Sequence, residues 1–281
     1  MLPEEIFGEI CREEEKDGFS VQRLAIREKG HSTLLGKPTG NYVTITCGAI
    51  RNLSDTDADR LASLLGDEIR TLCAGLCGRM PDREFSVLIA GLGNEEITPD
   101  AIGPQTVRKL NVTRHLRGLD EGLYDTVGRC EISGLFPGVL GQTGIETVEL
   151  VRGAAENVRP DLVVAVDALA ARSSARLGTT IQLCDSGIEP GSGIGNERKA
   201  INDETIGVPV ISLGVPTVVE SSTLVWDVLE QAGIADVGRD LRTVLENGRS
   251  FFVAPKESDV ITARVSSLLA DALDRAFTVI S

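Results

Sequence analysis

Apolar residues alternate or cluster from Phe19 to Ile26 and from Tyr42 to Cys47, which predicts two strands able to pair as a hairpin. Between Asp57 and Cys73 they recur at spacings of three and four behind an Asp-rich start, the pattern of an amphipathic helix, with Gly75 and Gly78 marking its exit. After Pro81 the pattern becomes strand, glycine turn, helix: FSVLIA, GLGNEEITPD and AIGPQTVRKL form one β-α unit. TGIETVELVRGAAENV then has helical periodicity and stops at Pro160, and DLVVAVDALA is an unbroken apolar run of the kind buried on both faces of a sheet. Thr180 to Cys184 and Val208 to Leu213 add further strands, and Thr223 to Phe277 reads as mostly helical. This alternation predicts an α/β three-layer sandwich with a largely parallel central sheet, one domain over residues 1–281. Residues 1–17, with the acidic cluster Glu13-Glu14-Glu15, read as a peripheral segment.

Composition narrows the function. The 42 acidic residues against 28 Lys plus Arg leave a net charge of -14, which disfavours extended contact with a nucleic-acid backbone or an anionic membrane. Six cysteines are scattered at 11, 47, 73, 77, 130 and 184 with no secretory signal before them, so they read as free thiols in the cytoplasm. No apolar run approaches the roughly 20 residues that cross a bilayer.

His31 and His115 are the only histidines, so a three-histidine zinc site is impossible. His31 reads as part of a polar loop and His115, in VTRHLRGL, as part of a helix; a structural role is expected for both. Cys73-x-x-x-Cys77 lacks a matching Cys/His pair and reads as partly buried thiols on a helix end. The carboxylates say more. Ligands of open α/β sheets sit outside the carboxyl ends of the parallel strands. Asp100 stands on the loop after the Val87–Ala90 run, and Asp167 at the end of the run Leu162 to Val166. If those strands are neighbours, both side chains reach one crevice. Two carboxyls held close cannot both ionise cheaply, and such a pair can activate water and protonate a leaving amine. Asp100 also reads as a helix-capping acid and Asp167 as a strand-end acid capping a turn, and spacing does not choose.

GLGN holds only G-x-G, and Glu95, Glu96 and Asp100 would repel a pyrophosphate, so its glycines are read as allowing close backbone approach to a substrate or a neighbouring strand. The tract from Gly187 to Ala200, GIEPGSGIGNERKA, reads either as a mobile substrate flap or as a plain surface loop.

GLGNEEITPDAIGP, VTRHL, FPGVLGQTGIET, PDLVVAVDALAARS, CDSGIEPGSGIGNERK and GVPVISLGVPTVVESSTL together resemble the spore germination protease family, in order from about Leu35 to Leu224. The resemblance implies an endopeptidase that degrades the small acid-soluble proteins coating spore DNA, with a fold similar to the hydrogenase maturation proteases. It implies that Asp100 and Asp167 are catalytic, that the Gly91, Gly93 and Asn94 backbone lines the cleft, and that no cofactor or metal is needed. It further implies a zymogen trimmed at its N-terminus, a homotetramer, and a place in the spore core. EIFGEI, from Glu5 to Ile10, keeps the Glu-Ile-x-x-Glu-Ile outline of the family's cleavage site, with Phe7 and Gly8 where Ala and Ser are usual; an amphipathic tail is the alternative. Two other functions stay open: a metal-assisted processing peptidase with His115 as third ligand, and a binding module that anchors a peptide without turnover. Glu95 and Glu96, beside Asp100, are left without an assigned role.

Overall fold

The structure is a computed structural model and describes residues 10–191, 199–234, 237–247 and 251–279. One sheet runs through it. Its strands are β1 (Cys11–Lys16), β2 (Phe19–Ile26), β3 (Gly40–Thr46), β4 (Ser86–Gly91), β5 (Glu131–Leu135), β6 (Leu162–Ala171), β7 (Thr180–Cys184), β8 (Val210–Glu220) and the short β9 (Phe252–Val253). The spatial order is β1-β2-β3-β7-β8-β6-β4-β5, with β9 beside β8. From β8 through β6 and β4 to β5 every pairing is parallel; from β1 to β8 every pairing is antiparallel. The parallel half is built from the buried runs FSVLIA and DLVVAVDALA, as expected of strands covered on both faces.

The antiparallel half begins where the sequence showed only charge. Asp17 and Gly18, both at positive φ, turn β1 back on β2, so the Glu13-Glu14-Glu15 cluster forms an edge strand. Its carboxylates face water, Glu14 pairs with Arg23, and Glu13 accepts the Ser20 hydroxyl. Edge strands are protected from further pairing by such charges. The segment read as peripheral is therefore part of the sheet from Cys11 on, while EIFGEI up to residue 9 lies outside the described residues.

Two long helices, Asp55–Cys77 and Ser258–Ala276, pack together over one face. They bury Leu61, Leu65, Ile69, Leu269 and Leu273 against Val87, Ile89, Val164 and Ile211 of the sheet. The first is longer than its periodicity predicts, because Ser54 accepts the Asp57 N–H at 3.1 Å at its start and Gly78, at φ 68, ends it; Gly75 lies inside. On the other face the helix Thr147–Val158, with Ile201 and Ile206, covers Leu88, Ala90, Val163 and Ala165. These three layers are the predicted sandwich.

Buried charge ties the halves together. Glu68, on the Asp55–Cys77 helix, is 4% exposed and takes a two-pronged contact from Arg23 of β2, whose Nε lies 2.9 Å from Oε2. Arg70 donates to the carbonyls of Ala276 and Thr278 at 2.9 and 2.7 Å, satisfying the end of the last helix. His31 is not in a loop: it lies on the short helix Lys29–Leu35 between β2 and β3. No helix of the described residues is long and apolar enough to cross a membrane.

Candidate active site

β4 ends at Gly91, whose partner on β6 is Val166. The next residue of β6 is Asp167. The strand does not end there, as its spacing suggested; it continues to Ala171 because β8 keeps pairing with it, Asp167 lying opposite Gly214. Asp167 is thus the first position of β6 past the end of β4, at the rim that ligands use in open α/β sheets. It is 6% exposed, and its Oδ1 accepts the Ala168 N–H at 2.9 Å. A mid-strand place removes its reading as a turn cap.

The loop leaving β4 bends toward the same point. Leu92 donates its N–H to the Val166 carbonyl at 2.7 Å, which carries the chain across the top of β6. Two glycines make this possible. A Cβ at Gly91 would lie 2.2 Å from the Gly103 carbonyl oxygen, and one at Gly93, where φ is +110, would lie 2.1 Å from the Asp100 carbonyl oxygen. Asp100 closes the short 3-10 turn Thr98–Asp100, which packs against β6 and β8. Its Oδ2 accepts the Asn94 N–H at 2.7 Å. It does not cap the helix Ile102–Lys109, whose N-cap is Ala101 without a side-chain bond. Asp167 therefore stands one β6 position past the end of β4, and Asp100 on the turn after β4 that packs against β6.

Asn94 holds this loop in shape. Its backbone N–H goes to Asp100, and its Oδ1 accepts the Glu96 N–H at 3.0 Å and the Gln142 Nε2 at 2.9 Å. Gln142 in turn accepts the Val139 N–H at 3.3 Å. From below, Thr262 of the last helix donates to the Thr98 carbonyl at 2.9 Å. Sequence reasoning did not find Gln142 or Thr262. Gln142 lay within FPGVLGQTGIET with nothing to mark its side chain, and Thr262 is one of many hydroxyls, 164 positions from its partner.

Glu95 forms an ion pair with Arg108 at 2.7 Å, and Arg108 holds its carboxyl below the usual range. Arg108 also lies over the Phe136 ring, 4.7 Å from its centre. Glu96 is exposed. Beside the loop lies a recess of about 190 Å³, lined by Gly93, Glu95, Glu96, Phe136, Gly138 and Gln142 among others.

The chain belongs to the germination protease family. The family model described as germination protease matches residues 3–246, and the members of this family are peptidases. A germination protease of Priestia megaterium is 40% identical over 254 residues, 88% of this chain and 67% of that protein. One from Clostridium perfringens is 36% identical over 295 residues, 97% of this chain and 89% of that one. The chain spans about two thirds of the length of several such relatives, 62% for one from a Geobacillus strain. Among solved structures, a [NiFe] hydrogenase maturation protease HycI from Thermococcus kodakarensis aligns with TM-score 0.36 and 19% identity over 68% of this chain and 93% of that one.

His115 does not come to this rim. It is exposed on the helix Arg114–Leu119, whose Arg114 and Arg117 pair with Glu131, the first residue of β5 and so at the opposite end of the parallel strands. Among the described residues no three His, Cys, Asp or Glu side chains gather as metal ligands. Cys73 is buried and Cys77 half-buried, and the hydrogen bond between them, followed by burial, pushes the Cys73 thiol well up. Of the tract Gly187–Ala200, residues 192–198 lie outside the described residues; its flanks are joined by the Ile188–Ile201 bridge.

Proposed function

We propose that this chain is an endopeptidase that begins the breakdown of small acid-soluble, DNA-binding spore proteins at germination, with Asp100 and Asp167 performing the chemistry. One carboxylate, ionised, takes a proton from a water molecule at the rim, while the other, protonated, hydrogen-bonds the carbonyl of the bond to be cut. The water oxygen adds to the carbonyl carbon, the C–N bond breaks, and a proton passes to the leaving amine. The backbone of Gly91, Gly93 and Asn94 lines the cleft, and Asn94, Gln142 and Thr262 position Asp100.

What supports this reading most is the convergence of two chain segments on one rim. Asp167 occupies the first β6 position beyond β4, and the β4 loop delivers Asp100 to the same edge with its carboxylate bound inside the loop. Family membership supports the substrate class. It also supports synthesis as a zymogen, trimming near EIFGEI, a place in the spore core and assembly as a homotetramer. Exposed apolar side chains at Val225, Val228, Val244 and Phe251 are consistent with assembly. The metal-assisted reading loses its third ligand, because His115 stands at the other end of the strands.

The test is digestion of a purified small acid-soluble spore protein. Wild type, with a trimmed N-terminus, yields discrete fragments and does so after exhaustive chelation. Asp100→Asn and Asp167→Asn each lower the rate by about a thousandfold or more with an unchanged circular dichroism spectrum. Substantial activity in either variant removes the mechanism, and a wild type that binds without cutting points to a binding module.

A further inference from the structure

We infer that Lys37, with Arg172 and Arg176 beside it, is a subsite for an acidic side chain of the substrate about four residues from the bond that is cut. This inference rests on the endopeptidase reading.

The sheet sets the distance. Tyr42 of β3 pairs with Cys184 of β7, Cys184 with Ser212 of β8, and Ser212 with Ala165 of β6, so the four form one row on one face. In keeping with this, the Cys184 Sγ lies 2.9 Å from the Ser212 Oγ. Asp167 is two residues beyond Ala165 and shares that face. Tyr42 is three strands away from β6. At about 4.8 Å per strand this is roughly 14 Å, which an extended peptide covers in about four residues.

The corner around Tyr42 is cationic. The Lys37 ammonium lies 4.6 Å from the centre of the Tyr42 ring. The Tyr42 hydroxyl donates to the Pro38 carbonyl at 2.7 Å, which fixes the chain beside Lys37, and lies 3.0 Å from the Ser186 hydroxyl. Arg172 directly follows β6, and Arg176 ends the 3-10 turn Ser174–Arg176 that leads to β7. Among the described residues none of these three cations forms an ion pair, although the chain has 42 acidic residues against 28 Lys plus Arg. Asp185, which follows Cys184, is taken up by Asn41, whose backbone N–H and side-chain amide both donate to it. Burial lowers the Lys37 pKa, the Cys184 thiol opposes this, and the charges of Arg172 and Arg176 lower it further. Like charges gathered without a counter-ion repel, and a carboxylate seated among them relieves the repulsion.

The experiment maps the bond that the enzyme cuts in a small acid-soluble spore protein by mass spectrometry. Peptides spanning it then carry Glu, Gln or Lys at each position in turn on either side. At one position about four residues from the bond, wild type prefers Glu to Gln in kcat/KM by about fivefold, mainly through KM. Lys37→Met brings that ratio close to one, Lys37→Arg keeps it, and Lys37→Glu turns the preference toward Lys. Arg172→Gln combined with Arg176→Gln lowers the ratio part of the way. A ratio unchanged in Lys37→Met overturns the inference, as does a preference for Glu confined to the residues directly flanking the bond. Cleavage by Asp100→Asn sinks the catalytic pair alone, because the subsite is judged by the ratio. A wild type that cuts none of the peptides overturns both.

Discussion

Gly93 shows how much of the site depends on a missing atom. Its φ of +110 suits glycine, and the Asp100 carbonyl oxygen occupies the place of a Cβ at 2.1 Å. Gly93→Ala must push back the Asp100 turn, and we expect a loss of about 3 kcal/mol of stability from strain and overpacking together, with a large fall in cleavage. Gly48→Ala is the control. It also sits at positive φ, +66, but nothing lies within 4 Å, so only the backbone conformation costs, about 1 kcal/mol. Thermal melts and cleavage rates of the pair check the difference. Equal losses would mean that contact with Asp100 is not what demands glycine.

Between elements, the decisive contact is the salt bridge from β2 to the Asp55–Cys77 helix. Glu68 is buried, and Arg23 supplies its compensating charge; the pairing raises the Arg23 pKa further above its usual range. Removing one partner of such a pair leaves a carboxylate without its cation in the protein interior. Arg23→Met is therefore expected to cost about 3 kcal/mol in chemical denaturation, and Arg23→Met with Glu68→Leu to recover most of it. A double variant no more stable than the single one would show that Arg23 acts through packing alone. The C-terminal helix belongs to the same scale. Ser258–Ala276 supplies half of the two-helix layer and the Thr262 bond beneath the Asp100 turn, although the family match ends at residue 246.

Across the whole molecule, a parallel half holds the two aspartates proposed to be catalytic, and an antiparallel half widens the sheet. Val225 and Val228 on the helix Ser221–Gln231, which buries no side chain, Val244 on the helix Arg239–Asn247, and Phe251 with the β9 residues Phe252 and Val253 leave apolar surface exposed. Light scattering is expected to return about four times the 29.9 kDa chain mass. Replacing Val228, Val244 and Phe251 with Asp is expected to lower it toward that of one chain. A monomeric wild type would end the tetramer proposal.

Much of this was legible in the chain itself, because burial writes a period into it. β2 and β7 lie at the limits their alternation predicts, and the FSVLIA and DLVVAVDALA runs became β4 and β6. Asp100 and Asp167 were visible as acids at the ends of apolar runs, where open sheets expose their chemistry. The motifs identified the family before any geometry was known, and the family match over residues 3–246 agrees. Other features depend on partners far away in sequence. β1 carried no apolar signal, since an edge strand needs only backbone pairing and charge. That Asp167 continues a strand depended on β8, and that His115 faces the wrong rim depended on Glu131. Gln142 meets Asn94 across 48 residues and Thr262 meets Thr98 across 164. The sequence by itself determined which residues are buried and which carry charge. Tertiary structure alone decided which of them meet, because hydrogen bonds and close contacts act at a few ångströms of space whatever their separation along the chain.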